Sequence, residues 1–198
     1  MKLPAGDKKI LLTVILACIG LLLLLAWVFR KKIAAMIFDT YIVENKEEFL
    51  KKANSISAQL GIQPDWLMAV MAFESEIDHR KVNRTSGATG LIQFMPSTAE
   101  SLGTTTDALK AMTNVQQLDY VYKYLAPYKG KMKKFTDVYL TVFYPAAVGK
   151  ADTYVIGAAG GKISKQNPAL RDSAGNVTVA SVKNNFSNWV SKRGFTIV

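Results

Sequence analysis

The chain has 198 residues, of which 49% are hydrophobic, and it carries a formal net charge of +10. This length accommodates one ordinary globular domain and an appendage. Cys18 is the only cysteine and His79 the only histidine; together they exclude an intrachain disulfide and argue against cysteine or histidine metal centres and a Ser-His-Asp triad.

The first predicted element is a membrane anchor at residues 10–29, preceded by a short basic tail at residues 1–9. The run "ILLTVILACIGLLLLLAWVF" has no charge and is long enough as a helix to cross the hydrocarbon core of a bilayer. The alternatives are a cleaved signal peptide and a lipoprotein signal at Cys18. We favour an uncleaved anchor, because the run is long and ends in a basic cluster instead of a small-residue cleavage site. Basic residues flank both ends, so the orientation is undetermined.

Residues 30–44 are predicted to form a juxtamembrane helix or linker that leads into the main domain. Apolar residues recur at helical spacing as far as Leu60, with lysines and glutamates between them, which predicts one or two amphipathic helices. Gly61 ends this pattern, and Pro64 suits the first position of the next helix. We expect that next helix to run through Glu76.

Helices dominate the rest of the chain. They are predicted from Pro96, across residues 113–128, in "FTDVYLTVFYPAA" before Pro145, and across residues 178–190. The glycines of residues 157–161 predict a flexible break, and strand signals are scarce. The sequence therefore predicts a mainly α fold, with one domain over residues 45–165 and a C-terminal turn and helix over residues 166–198.

The positive charge is moderate once the anchor and its flanks are set aside. Residues 33–198 hold 19 basic and 14 acidic residues, a net charge of +5, and part of the surplus lies in "YKGKMKKF". A solvated loop is the simpler interpretation, and attraction to an anionic polymer or to lipid head groups is the functional one. No recognised nucleic-acid-binding motif accompanies the charge, so no nucleic-acid partner is expected.

Three acidic residues follow an apolar run in "AVMAFESEID". On a helical projection Glu74 lies within the apolar stripe, Glu76 lies on the opposite side, and Asp78 lies at the edge. Burial raises the pKa of a glutamate, which makes it a proton donor near neutral pH. The projection therefore favours Glu74 as a general acid of the kind used in glycoside cleavage, with a structural ion pair or helix cap as the alternative. His79 is expected to be a surface residue at the helix end.

The next block carries a family resemblance. Glu74–Ser75, then Asn83, then "SGATGLIQFMPSTA" at residues 86–99 closely resemble the lytic transglycosylases related to goose-type lysozyme. These enzymes cleave peptidoglycan and have a mostly helical, lysozyme-like fold. The resemblance covers roughly residues 45–161 and is strongest over residues 61–99. A helix-borne Glu-Ser followed by Gly-Leu-Ile-Gln and Met-Pro-x-Thr-Ala is far more specific than a lone short motif.

The resemblance implies that Glu74 is the single catalytic acid and base, with the Tyr144 hydroxyl beside it. It also implies that Ser75 orients Glu74 or the substrate. The substrate-binding residues that it implies for the glycan groove are Ser75, Asn83, Gly90, Leu91, Ile92, Gln93 and Met95. Two positions depart from the family pattern: Pro145 stands where an asparagine is usual, and Leu118 where a glycine is usual.

The implied reaction cleaves the MurNAc-GlcNAc β-1,4 bond and leaves a 1,6-anhydromuramyl end, with no cofactor and no metal. The implied partners are peptidoglycan glycan strands, together with a lipid membrane through residues 10–29. The variant pattern resembles phage-borne members of the family, which suggests the virion membrane of a phage, or a bacterial inner membrane with the domain facing the periplasm. The alternatives are a hydrolytic muramidase on the same fold, and a non-catalytic wall-binding or virion membrane structural protein.

Overall fold

The computed structural model describes residues 12–26, 28, 41 and 44–193. The chain divides into two units, Met1–Thr40 and Tyr41–Val198. In the first unit, residues 12–26 form helix α1. Within the described residues, no helix combines the length and apolar character that a membrane crossing requires. The predicted basic tail, both ends of the predicted anchor and most of the predicted linker lie outside the described residues.

The first two thirds of the second unit are helical. The helices are α2 (Lys46–Leu60), α3 (Pro64–Ser75), α4 (Pro96–Ser101), α5 (Thr106–Ala111), α6 (Asn114–Leu125) and α7 (Phe135–Phe143). Short 3-10 turns follow α6 at Ala126–Tyr128 and α7 at Pro145–Ala147. The predicted mainly helical character is confirmed, whereas α5 was not predicted.

The C-terminal third contains a small antiparallel sheet. Strand β1 (Val155–Gly157) pairs with β2 (Val177–Thr178). Helix α8 (Lys162–Gln166) and a 3-10 turn (Pro168–Leu170) lie between the strands, and α9 (Val179–Ser191) follows them. The flexible break predicted from residue 157 is wrong at its start, because Gly157 belongs to β1 and a Cβ there would lie 2.7 Å from the Cβ of Ile163. The predicted boundary between residues 165 and 166 falls inside α8.

Helix α3 lies at the centre of the core. It begins with Pro64 at its first position and Asp65 in its first turn, which suits the helix dipole. Every side chain from Trp66 to Ala72 is at most 8% exposed. Helices α2 and α7 pack against α3. A helix that is apolar on all sides is buried on all sides, so the single apolar stripe assumed from the sequence is wrong.

Helix α3 ends at Ser75, one residue earlier than predicted. Glu76 and Ile77 both adopt the left-handed conformation with φ of 60°. The Glu76 N–H donates to the Ala72 carbonyl at 2.9 Å, and the Ile77 N–H donates to the Met71 carbonyl at 3.3 Å. This pattern closes a helix C-terminus. Left-handed backbone is strained for a β-branched residue, and the burial of Ile77 at 1% exposure holds it there.

An aromatic cluster encloses the C-terminal end of α3. The Phe73 ring lies 5.1 Å from Tyr139 of α7, and 4.9 Å and 5.1 Å from Phe186 and Trp189 of α9, measured between centroids. All three pairs are edge-to-face, a favourable geometry for aromatic rings. The C-terminal helix is therefore part of the core that surrounds the residue before Glu74.

Candidate active site

Glu74 lies in the last turn of α3 and is partly buried. Burial raises the pKa of its carboxyl from 4.5 to about 7, and the nearby positive charge of Lys81 opposes that rise. A carboxyl with this pKa is present in both protonation states near neutral pH, so it can donate a proton and then accept one.

The other two acidic residues lie on the turn after the helix. The Glu76 side chain is 71% exposed, and its Oε1 is 3.2 Å from Nζ of Lys81. Asp78 is exposed, and its Oδ1 accepts a hydrogen bond from the backbone N–H of Arg80 at 2.8 Å. Both face solvent as expected, but the helical projection was the wrong reason, because neither lies on α3.

His79 is buried, at 5% exposure, so the expectation of a surface histidine is wrong. Burial lowers the pKa of its imidazole. Its Nε2 has no hydrogen-bond partner among the described residues, while its carbonyl oxygen accepts from Nε2 of Gln117 at 2.8 Å. The turn after Glu76 therefore folds back into the core.

Ser75 is fully buried. Its hydroxyl oxygen lies 2.9 Å from the Leu91 carbonyl oxygen and 3.0 Å from the Met71 carbonyl oxygen, so one hydroxyl proton serves two acceptors. The Ser75 hydroxyl therefore bonds to the backbone on both sides, and the role predicted for it, to orient Glu74 or the substrate, stays a prediction.

The loop between α3 and α4 folds on itself. Thr89 forms isolated antiparallel bridges with Val82 and with Phe94. Asn83 is exposed, and its Oδ1 accepts from two backbone N–H groups of the following turn, at 3.0 and 3.2 Å. The carbonyl oxygen of the Asn83 side chain is thus occupied within the loop, and the role predicted for Asn83 in substrate binding stays a prediction.

The predicted groove residues divide by exposure. Gly90, Leu91 and Ile92 are buried, and the role predicted for them in forming the wall of the glycan groove stays a prediction. Gln93 is partly exposed with φ of 53°, and its Nε2 donates to two carbonyl oxygens at 3.1 and 3.3 Å. Met95 is 45% exposed.

Tyr144, the hydroxyl predicted beside Glu74, caps the C-terminal end of α7 and is partly buried. The position of its hydroxyl beside Glu74 stays a prediction. Tyr124 of α6 and Tyr139 of α7 interact electrostatically with Glu74. Burial raises the pKa of Tyr124 to about 12, with Tyr128 and Glu74 adding to the rise. Burial, and then Glu74, also raise the pKa of Tyr139. Neither tyrosine was predicted to lie near Glu74, because both belong to helical patterns that are typical of ordinary core.

The C-terminal third carries a cavity of its own. It is open, has a volume of about 770 Å³, and is lined by residues that include Arg171, Asn184 and Asn188. Neither Glu74 nor the α3–α4 loop lines it. In the part of the chain that the structure describes, no group of three or more His, Cys, Asp or Glu side chains is placed to hold a metal ion.

A partly buried glutamate of raised pKa at the end of a helix is the kind of general acid that glycoside cleavage uses. A comparison with protein families agrees with this chemistry: residues 51–144 match the Transglycosylase SLT domain. The match confirms the predicted lytic transglycosylase domain over these residues, with its mainly helical, lysozyme-like fold. It implies an enzyme and peptidoglycan as its substrate class. A search of curated proteins finds no match.

Proposed function

We propose that the protein is a membrane-anchored lytic transglycosylase that cleaves the MurNAc-GlcNAc β-1,4 bond of peptidoglycan. The product is a 1,6-anhydromuramyl end. The observation that carries this proposal is the position of Glu74 in the last turn of the central helix. Burial there raises the pKa of its carboxyl to about 7. The role of Glu74 as acid and base, and the place of the Tyr144 hydroxyl beside it, are part of this proposal.

One carboxyl is sufficient for the proposed reaction. Protonated Glu74 gives its proton to the glycosidic oxygen as the bond from that oxygen to C1 of the muramyl sugar breaks, and GlcNAc leaves with a free 4-hydroxyl. The C6 hydroxyl of the same muramyl sugar attacks C1, and the Glu74 carboxylate takes the proton that O6 loses. The carboxyl returns to its starting state, and no water is consumed.

The absence of a suitable second carboxylate on this segment supports the anhydro product. Ordinary glycoside hydrolysis uses two carboxyl groups that flank the scissile bond. Glu76 pairs with Lys81 in solvent, and Asp78 accepts from the Arg80 N–H on the exposed turn, so we assign neither of these two neighbours the role of the second carboxylate. An attacking group supplied by the substrate removes the need for that second carboxylate.

We also propose that residues 10–29 anchor the chain in a lipid membrane. The uncharged sequence supports this, as do the exposed apolar side chains of α1, among them Leu22 at 65% and Leu23 at 67%. Such a surface is unfavourable in water and favourable in lipid. The location is then the virion membrane of a phage, or a bacterial inner membrane with the domain facing peptidoglycan.

Digestion of purified peptidoglycan tests the reaction and the residue together. We expect wild type to release 1,6-anhydromuramyl fragments, identified by mass spectrometry, and Glu74→Gln to release none. Glu76→Gln is the matched control, because it removes an exposed carboxylate two residues away, and it should retain activity. Reducing ends in place of anhydro ends would show a muramidase, and equal release by Glu74→Gln would refute the assignment of Glu74.

A further inference from the structure

The Leu91 peptide is held from both sides by buried side chains. The Ser75 hydroxyl lies 2.9 Å from its carbonyl oxygen, and its N–H donates to Oε1 of Gln117 at 2.7 Å. Ser75 follows Glu74 at the end of α3, and Gln117 lies on α6; both are 0% exposed. The loop that forms the predicted glycan wall is therefore fastened to two helices through one peptide unit.

The Gln117 amide joins three separate parts of the chain. Besides accepting from Leu91, it donates through Nε2 to the carbonyl oxygens of His79 and Leu109, both at 2.8 Å. Both amide hydrogens are used, and the acceptor oxygen is paired. A buried amide with all of its donors satisfied specifies one arrangement of the segments it joins. Those segments are the turn after α3, the α3–α4 loop and the C-terminal end of α5.

Gly90 allows the side-chain amide of Gln117 to approach the backbone of the α3–α4 loop. Its φ is +83°, and a Cβ at this position would lie 2.3 Å from Oε1 of Gln117. A contact under 3 Å is one that real Cβ atoms essentially never make. Gly90 therefore leaves space for the Gln117 side chain, in addition to adopting the left-handed backbone conformation of the turn.

We propose that Gln117 is a positioning residue that fixes the Gly90–Gln93 segment against the C-terminal end of α3, and so sets the glycan wall relative to Glu74. The identity of the substrate, a peptidoglycan glycan strand, rests on the proposed function. The positioning itself follows from hydrogen bonds within this chain. Removing the amide leaves a buried N–H and two buried carbonyls without this partner, which favours rearrangement of the loop.

The test compares Gln117→Met with Gln116→Met in the full chain. Methionine keeps the length of the side chain and removes its hydrogen bonds. Gln116 is the matched control, because its exposed amide accepts from the Thr113 N–H on the same helix without touching the loop. We expect Gln117→Met to lower kcat/KM for glycan cleavage by about 100-fold, the effect of misplacing a site by about 1 Å, and Gln116→Met to stay near wild type.

A second readout is the titration of Glu74 by ¹³C NMR, in which the carboxyl resonance of folded molecules is followed separately from that of unfolded ones. A released loop admits water, so Gln117→Met should move the Glu74 pKa downward from about 7, while Gln116→Met should leave it unchanged. Unaltered kcat/KM together with an unaltered Glu74 titration in Gln117→Met would overturn the proposal. If wild type cleaves no glycan, the proposed function fails, and the titration alone still decides the positioning.

Gln117→Glu keeps the proposal testable should Gln117→Met fail to fold. At pH 5 the new carboxylic acid is protonated when buried, so it accepts from Leu91 and donates to one of the two carbonyls. We expect it to fold there and to retain more activity than at pH 8, where a carboxylate would face the carbonyl oxygens of His79 and Leu109. A pH profile identical to that of wild type would contradict the role of the amide.

Discussion

At the scale of the residue, Glu74 experiences opposing influences on its pKa. Burial is the largest and raises it, while Lys81 lowers it. The position adds a third influence, because the free carbonyls at a helix C-terminus carry partial negative charge and disfavour a nearby carboxylate. The protonated form of an acid at the last turn of a buried helix is thus favoured by its surroundings and by the helix that carries it.

Glu74→Gln should stabilise the fold in a pH-dependent way. A folded-state pKa of about 7, against 4.5 when unfolded, means that ionising Glu74 costs stability increasingly as pH rises from about 4.5 to 7. The cost then levels off at about 3 kcal/mol. We expect the difference in unfolding free energy between Glu74→Gln and wild type to grow by about this amount between pH 4.5 and 8, measured by urea denaturation. A difference that does not change with pH would contradict the burial of this charge.

Lys81→Met should raise the pKa of Glu74 further, because it removes the charge that opposes the rise. The pH profile of kcat should then keep its activity to higher pH. The shift should shrink at high salt, since the Lys81 side chain is 39% exposed and its field is screened. Lys110→Met, on the exposed last turn of α5, is the control and should leave the profile unchanged. A downward shift in Lys81→Met would contradict the prediction.

The sequence predicted that Glu74 faces the apolar interior, but it could not predict which residues surround this carboxyl. The spacing of Glu74, Ser75 and the Gly-Leu-Ile-Gln segment is visible in one dimension. The burial of His79 and the approach of Gln117 to Gly90 depend on how the chain turns after α3. That turn uses left-handed backbone at Ile77, a conformation that residue preferences argue against.

At the scale of the element, α9 lies beyond the residues that match the SLT domain, yet it packs against the end of α3. Phe186 is 1% exposed and lies 4.9 Å from Phe73, 4.5 Å from Phe135 and 4.3 Å from Tyr139, measured between ring centroids. The C-terminal helix is therefore part of the folded unit that carries Glu74.

Phe186→Ala should destabilise the fold by about 3–5 kcal/mol, the usual cost of truncating a buried phenylalanine. Urea denaturation measures the loss, and the exposed Asn184 on the same helix supplies the control, as Asn184→Ala should change stability by no more than about 0.5 kcal/mol. Equal stability of the two variants would show that α9 is not needed by the core.

Element ends were predictable where proline fixes them. Pro64 and Pro96 begin α3 and α4, and Pro145 follows the end of α7, as their fixed φ and missing N–H require. Helix α5 was missed because it has only six residues, and its signal is a single cap in which the Thr105 hydroxyl accepts from the Ala108 N–H at 3.1 Å. The short strands were missed because two or three residues show no readable alternation.

At the scale of the whole molecule, the two units predict a separable function. A chain of residues 41–198 should fold and cleave peptidoglycan, but it should not bind lipid vesicles in a flotation assay, whereas the full chain should. Binding of the full chain should persist in 1 M salt, because apolar insertion is not screened as charge attraction is. Binding that disappears in salt, or that residues 41–198 reproduce, would point to the basic surface instead of the anchor.

The fastening of the Leu91 peptide has a consequence for when such an enzyme becomes active. It uses an amide and a hydroxyl, and the sequence from residue 41 onward contains no cysteine, so no oxidative step is needed to complete the fold. The unit should mature equally well in a reducing cytoplasm and in an oxidising exterior. Disulfide formation therefore offers the producing cell no means of restraining this unit.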